Sequence, residues 1–168
     1  MTTSLYDMTM PLFVRGFASL SDILKTAEAF AADKGIDAAE LTGARLFEDM
    51  APLPGQVQRA SDSAKGCFVR LGQVENLVLA DEEQTFADLQ ARIAATVGFL
   101  QSVPREAIDG REDADVVLKV PNVEIPFKGI GYVQGFVIPN FYFHVTTAYA
   151  ILRHKGVPIG KRDYLGRA

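Results

Sequence analysis

The feature that most constrains this chain is a long uncharged run near its C-terminal end. From Gly129 to Leu152 the sequence contains no Asp, Glu, Lys or Arg, and this length would suffice for a membrane-spanning helix. Polar residues such as Gln134, Asn140 and His144 are spread through the run, and polar groups at that density are costly in lipid. We therefore interpret the run as a buried helix of a folded domain, and we expect no membrane association.

The composition indicates one folded domain. The chain has 168 residues, the usual size of one domain, and we predict a single domain over residues 1–168. A hydrophobic share of 48% excludes a disordered chain. The net charge of −4 argues against nucleic-acid binding, which needs a basic surface. Because Met1–Asp7 shows no basic segment followed by an apolar one, we expect no signal peptide and a cytoplasmic location.

Apolar residues at three- and four-residue spacing predict four long helices. These helices extend over about Leu5–Asp33, Met50–Gly72, Thr85–Val103 and Gly131–Lys155. A short helical turn is predicted at Asp37–Leu41. Between helices 3 and 4 the period changes to two, so Val116–Val120 and Val123–Phe127 predict a β-hairpin. The predicted fold is an all-α four-helix bundle with this small β-hairpin between helices 3 and 4, and an irregular tail from Val157 onwards.

The fourth helix carries more apolar surface than a bundle core covers. At 100° per residue, its predicted core-facing side consists of Phe136, Asn140, Phe143, His144, Thr147 and Ile151. The other sides carry Phe141, Tyr142, Val145 and Tyr149. A helix that is apolar all round needs cover on more than one side. We therefore predict a homodimer that uses helix 4. The alternative is that the hairpin and the C-terminal tail fold over its outer face.

Two polar residues, Asn140 and His144, lie one helical turn apart on the predicted core-facing side. Buried polar groups need partners, and the candidates on helix 2 are Gln56, Gln58, Ser61 and Asp62. Asp62 and His144 would form a general acid/base pair or supply two metal ligands. The alternative is a structural histidine that is hydrogen-bonded to an amide or a hydroxyl. The candidate catalytic residue is His144, and the candidate pocket residues are Gln56, Gln58, Asp62, Asn140 and His144.

Five segments carry a family resemblance. They are Leu5–Pro11, Asp49–Met50, Gln56–Gln58, Asp62–Gly66 and, as the most specific, Pro139–His154. Together they resemble an uncharacterised bacterial family of domains of unknown function. That family is similar to the DinB/YfiT-like superfamily of four-helix bundles, which includes many candidate metalloenzymes and several dimers. The resemblance implies the same bundle fold and raises the possibility of a hydrolase or thiol-transferase activity.

The resemblance also implies where a metal would lie. In the metal-binding members, one His comes from helix 2 and an H-x-x-x-H pair comes from helix 4. His144 matches the second His of that pair, but Asn140 stands in place of the first, and helix 2 has no His near Gln58–Asp62. Amide oxygens are weak ligands for zinc or nickel. A divalent-metal site of His144, Asn140 and Asp62 would therefore be poor, and we expect no cofactor.

Three functions fit these residues. The one we favour is a dimeric, metal-free bundle that binds or responds to a small molecule in a pocket around Gln56, Asn140 and His144. The second is an enzyme, either a metal-dependent or a His144-dependent hydrolase or thiol-transferase. The third is a structural dimer in which the polar core groups only fix the register of the helices. The partners of His144 distinguish the three.

Overall fold

The computed structural model describes residues 4–166, which are mostly helical with one small antiparallel sheet. The helices are α1 Leu5–Lys34, α2 Ala38–Thr42, α3 Leu53–Gly72, α4 Phe86–Ser102, α5 Arg105–Ile108, α6 Gly129–Tyr132, α7 Ile138–His154 and α8 Lys161–Leu165. A π-helical segment, Val133–Val137, joins α6 to α7, and the strands are β1 Asp115–Val120 and β2 Val123–Lys128. Residues 1–3 and 167–168, which the single-domain prediction includes and the signal-peptide prediction partly uses, lie outside the described residues.

Local signals set the ends of the long helices. The Ser4 hydroxyl accepts a hydrogen bond from the first turn of α1, and Gly35 ends that helix in the left-handed conformation with φ of 65°. Thr85 and Asp88 form the predicted capping box at the start of α4. Helix α3 begins at Leu53, three residues later than predicted, because Pro52 in extended conformation is its N-cap. The short helix α5 has no counterpart in the sequence prediction.

One apolar core lies between the four long helices. Helix α1 packs against α4 and α7, and α3 packs against the same two helices. The centre of the core is aromatic, with Phe13, Phe17, Phe68 and Phe141 fully buried. The Phe141 ring meets the rings of Phe13 and Phe17 edge-on, with centroids 5.0 and 5.1 Å apart. These edge-to-face contacts hold α7 against α1.

The uncharged run forms α6, the π segment and most of α7. Among residues 4–166, no helix has the length and apolar character that crossing a bilayer would require. The predicted core-facing side of this helix was wrong in part: Phe141 and Val145 are buried in the core, whereas Phe143 is 56% exposed. Val133 and Val137 are also buried, so the core positions follow at steps of four residues. In a regular α-helix, a step of four residues places the second side chain about 40° past the first around the helix axis. The π segment has more residues per turn, so it offsets this rotation between Val133 and Val137.

The tail packs on part of α7, and the hairpin packs on the π segment that precedes it. Phe127 of β2 packs against the Phe136 ring, with centroids 6.3 Å apart. Tyr164 of α8 meets Tyr149 edge-on at 5.8 Å, and its hydroxyl lies 2.8 Å from the Thr146 hydroxyl. The prediction of an irregular tail was therefore wrong, because this aromatic contact holds a short helix against α7.

Gly16 allows α1 to approach α7 closely. A Cβ atom at this position would lie 2.6 Å from the Phe141 ring, which is shorter than van der Waals contact allows. We expect Gly16→Ala to lower the free energy of unfolding by about 1–3 kcal/mol, because the ring has to shift within a close-packed core. Urea denaturation measures the change.

Gly98→Ala is the matched control for this substitution. Gly98 is exposed within α4 and has open space around its Cα atom. Alanine at an exposed helix position should raise the free energy of unfolding by up to about 1 kcal/mol, because Ala is the better helix former. Changes of the same sign at Gly16 and Gly98 would contradict the close approach of α1 to α7.

Candidate functional site

A groove of about 380 Å³ lies between α3 and α7 and is bordered by the hairpin. The residues that line it are Arg59, Asp62, Ser63 and Arg70 of α3, Leu118 of β1, Tyr132 of α6, Phe136 of the π segment, and Asn140 and His144 of α7. Asp62 and Ser63 lie three and four residues after Arg59, and Arg70 lies seven residues after Ser63, so these α3 residues share one side of that helix. We call this depression the His144 groove.

His144 is held at the groove by Gln56. Its ring is only 9% exposed, and its Nδ1 lies 2.8 Å from Oε1 of the buried Gln56. The Gln56 Nε2 donates to the Ala51 carbonyl at 2.9 Å, so Oε1 faces the ring and accepts. Nδ1 therefore carries the proton of the neutral imidazole. Nε2 makes no hydrogen bond with any described residue and is not fully enclosed, and the His144 side chain lines the groove.

The imidazole of His144 is a weak base. Burial, together with the nearby Arg59 guanidinium, lowers its pKa to about 4. An efficient general base has a pKa near the operating pH, and its ring is commonly oriented by a carboxylate, whereas Gln56 is a neutral amide. At neutral pH the Nε2 atom is thus best suited to accept a hydrogen bond.

Asp62 lines the same groove but forms no hydrogen bond with His144. Its Oδ1 pairs with Lys65 Nζ at 3.2 Å and with Arg92 Nη2 at 3.1 Å. The Arg92 side chain is 1% exposed and also pairs with Asp81 and Glu83, at 2.9 and 2.8 Å. A buried cation requires such partners. The structure therefore places Asp62 in the ion cluster of Arg92 and not in the acid/base pair that the sequence suggested.

Asn140 is held by Ser63. Its Nδ2 donates to the Ser63 hydroxyl at 2.6 Å, and that hydroxyl donates its one proton to the Arg59 carbonyl at 2.7 Å. Because Ser63 can then only accept from Asn140, the amide is oriented with Nδ2 towards Ser63 and Oδ1 turned away. Within residues 4–166, Oδ1 of Asn140 accepts no hydrogen bond.

The remaining candidate partners on α3 lie elsewhere. Gln58 donates to Glu83 at 2.8 Å and borders a separate cavity beside Arg45. Ser61 is buried and shares a hydrogen bond of 2.8 Å with Thr96 of α4. Of the predicted pocket residues, the structure thus brings Asp62, Asn140 and His144 to one groove, places Gln56 behind His144, and leaves Gln58 outside.

Sequence reasoning missed the two arginines of the groove. Arg59 donates to the Gly55 carbonyl at 3.0 Å, and Arg70 donates to the Tyr132 hydroxyl at 2.9 Å. Neither arginine forms an ion pair with another described residue. Each guanidinium occupies space that a Cβ atom on the glycine one turn earlier, Gly55 or Gly66, would take. The available signal was the pattern Gly-x-x-x-Arg, which occurs twice on α3 at a separation of eleven residues, or about three helical turns.

The groove does not fit the metal that the resemblance implies for other members. His144 is the one imidazole that lines the groove, Asp62 is paired with two cations, and the Arg59 guanidinium would repel a divalent cation. In the part of the chain that the structure describes, no three His, Cys, Asp or Glu side chains are grouped to hold a metal ion. We derive no metal-dependent step from this site.

Comparison with known proteins agrees with the resemblance. A family model described as "Domain of unknown function (DUF1993)" matches residues 5–165. The crystal structure of a DinB family member protein from Shewanella denitrificans is 38% identical and superposes with a TM-score of 0.87, over 98% of this chain and 93% of that chain. The comparison with curated proteins found no match.

The lowered pKa of His144 should appear both in its titration and in the stability of the protein. We expect the ring to titrate near pH 4 with the proton of the neutral form on Nδ1, as measured by nitrogen-15 NMR. The unfolded chain binds this proton near pH 6.5 and the folded chain does not, so stability falls as the pH falls from 6.5 to 4. At about 1.4 kcal/mol per pKa unit, the loss is about 3 kcal/mol.

The chain has two histidines, which makes the titration experiment simple to control. His144→Gln should remove this part of the pH dependence of unfolding, whereas His154→Gln, at the exposed end of α7, should leave it intact. A titration midpoint near 6.5 for His144 would contradict the buried, neutral imidazole.

Proposed function

The chain belongs to the DUF1993 family of domains of unknown function, and we propose that it is a small-molecule-binding or regulatory protein that works without a metal. Its ligand site is the His144 groove. The observation that carries the proposal is the bonding of His144, a groove-lining residue whose Nδ1 is fixed by Gln56 while its Nε2 has no hydrogen-bond partner among the described residues and is not fully enclosed. Polar atoms of nearly buried side chains are normally paired, so Nε2 is suited to accept a hydrogen bond from a ligand.

The other two functions have less support in the geometry. A histidine that only fixed helix register would have both ring nitrogens paired inside the protein, and His144 has one. A hydrolase or thiol-transferase would need a base with a pKa closer to neutral or a set of free metal ligands. The groove instead offers an imidazole with a pKa of about 4, and Asp62 is committed to Lys65 and Arg92.

Binding is tested by thermal denaturation with a library of neutral, anionic and cationic small molecules. We expect at least one compound to raise the Tm of the wild type by several degrees, since a ligand at 100 times its Kd stabilises a protein by about 2.7 kcal/mol. The same compound should not stabilise His144→Ala, and the shift should persist in EDTA because no metal takes part.

His154→Ala is the matched control, since His154 is exposed at the end of the same helix. It should respond to the compound as the wild type does. The proposal is wrong if no compound stabilises the wild type more than His144→Ala, or if EDTA abolishes the shift.

The same proposal includes the arrangement of the helices and the location of the protein. We propose that the four long helices form a four-helix bundle, because each of them packs against two of the others. We also propose a cytoplasmic location. The one cysteine, Cys67, is a buried free thiol whose pKa burial raises to about 12. Unpaired buried thiols suit a reducing compartment.

We further propose that the protein forms a homodimer through α7. Helix α8 covers part of the outer side of this helix, but Phe143 is 56% exposed. Aromatic side chains are enriched in protein interfaces, where they bury a large apolar area. A second copy that packs against Phe143 would remove this ring from water.

Light scattering after size exclusion tests the dimer. We expect twice the chain mass of 18.3 kDa at micromolar concentration, and we expect Phe143→Asp to give the monomer because it would place a charge in the interface. Val78→Asp, at an exposed position of the loop before α4, is the control and should leave the mass unchanged. A wild-type monomer would disprove the dimer and leave the ligand proposal standing.

A further inference from the structure

The polar atoms of the His144 groove narrow the chemistry of its ligand. Resting on the proposed function, we infer that the groove binds a small hydroxycarboxylate. Its carboxylate pairs with Arg59, its hydroxyl donates to His144 Nε2 or to Asn140 Oδ1, and its apolar body lies against Phe136. Three observations support this assignment: the charge of the groove, the fixed direction of its hydrogen bonds and its aromatic wall.

The groove has an excess of positive charge although the whole chain has a net charge of −4. Arg59 and Arg70 both line it, and neither pairs with a carboxylate of the described residues. Asp62 is the one acidic residue among those that line the groove, and it is ion-paired with Lys65 and Arg92. A guanidinium offers two parallel N–H donors that match a carboxylate. An anionic group on the ligand would therefore find an unpaired cation at Arg59.

Two polar atoms of the residues that line the groove with Arg59 can only accept. The bond from Nδ1 to Gln56 leaves a lone pair on His144 Nε2, and the bond from Nδ2 to Ser63 leaves the carbonyl oxygen of Asn140. A site with two acceptors and a cation is complementary to a ligand that carries both a hydrogen-bond donor and an anionic group. A hydroxyl satisfies this need, whereas an ammonium group would be repelled by the nearby Arg59.

An aromatic wall completes the groove. The rings of Tyr132 and Phe136 are almost parallel, with an interplanar angle of 12° and centroids 6.0 Å apart. Leu118 of β1 lies along the same groove. A volume of about 380 Å³ is within the usual range for small-molecule sites. The wall suits a phenyl ring or a short alkyl chain as the body of the ligand.

A matched set of three compounds tests each part by isothermal titration calorimetry. The set consists of 3-phenyllactate, 3-phenylpropionate, which lacks the hydroxyl, and 3-phenylpropane-1,2-diol, which lacks the carboxylate. We expect 3-phenyllactate to bind most tightly. Loss of either polar group should weaken binding about tenfold, the effect of one hydrogen bond to a charged or buried partner.

Arg59→Gln identifies the residue that holds the carboxylate. Arg59 is exposed, so the variant should fold, and it should bind 3-phenyllactate about tenfold more weakly while its affinity for the diol is unchanged. Arg162→Gln removes an exposed positive charge from α8, away from the groove, and should change neither affinity.

The outcomes separate this inference from the function on which it rests. If the diol binds as tightly as 3-phenyllactate, or if Arg59→Gln has no effect, the hydroxycarboxylate assignment is wrong. The groove would then still be a small-molecule site, provided that His144→Ala abolishes the binding. If no hydroxycarboxylate binds, in a panel from lactate to 3-phenyllactate, the assignment also fails. The function itself fails only if the broader library gives no His144-dependent ligand.

Discussion

Arg92 is a buried cation, and the position of the loop between α3 and α4 depends on the ion pairs that this cation forms with three carboxylates. Burial opposes its charge, but Glu83, Asp62 and Asp81 together raise the pKa of the guanidinium. Two of these carboxylates belong to the loop between α3 and α4, and the third belongs to α3. The loop is therefore held across both helices, with a further bond from Arg92 to the Ala80 carbonyl at 3.2 Å. Removing all three carboxylates would leave a buried charge uncompensated, which is strongly destabilising.

The same cluster decides the chemistry of the groove. Because Asp62 is held by Arg92 and Lys65, the nearest carboxylate on α3 is not available to His144. The ring is paired with the neutral amide of Gln56 and is neutral at physiological pH. Without a free acid along its walls, the groove also keeps the positive charge of Arg59. The ion cluster that holds Asp62 at the border of the groove thus leaves the groove with the cation of Arg59 and the acceptor of His144.

Features that depend on neighbouring residues could be predicted from the sequence, and those that depend on distant ones could not. The capping box of Thr85 and Asp88 and the left-handed end of α1 at Gly35 are local, and both appear where the pattern indicated. The pairing of Asp62 with Arg92, thirty positions later, has no local signal. The orientation of α7 was also missed, because one π turn changes the side of the helix on which every later residue lies.

The polar pair on α7 stands where the resemblance to metal-binding bundles implies two histidines. His144 matches the second of these positions, and the amide of Asn140 stands at the first. A buried amide still needs partners, and here Ser63 and Gln56 supply them for Asn140 and His144 respectively. These internal bonds use one donor of each side chain and leave one acceptor of each without a partner among the described residues. The groove therefore combines two unpaired acceptors with a guanidinium, and this combination is the physical basis of the polar organic anion that we propose as its ligand.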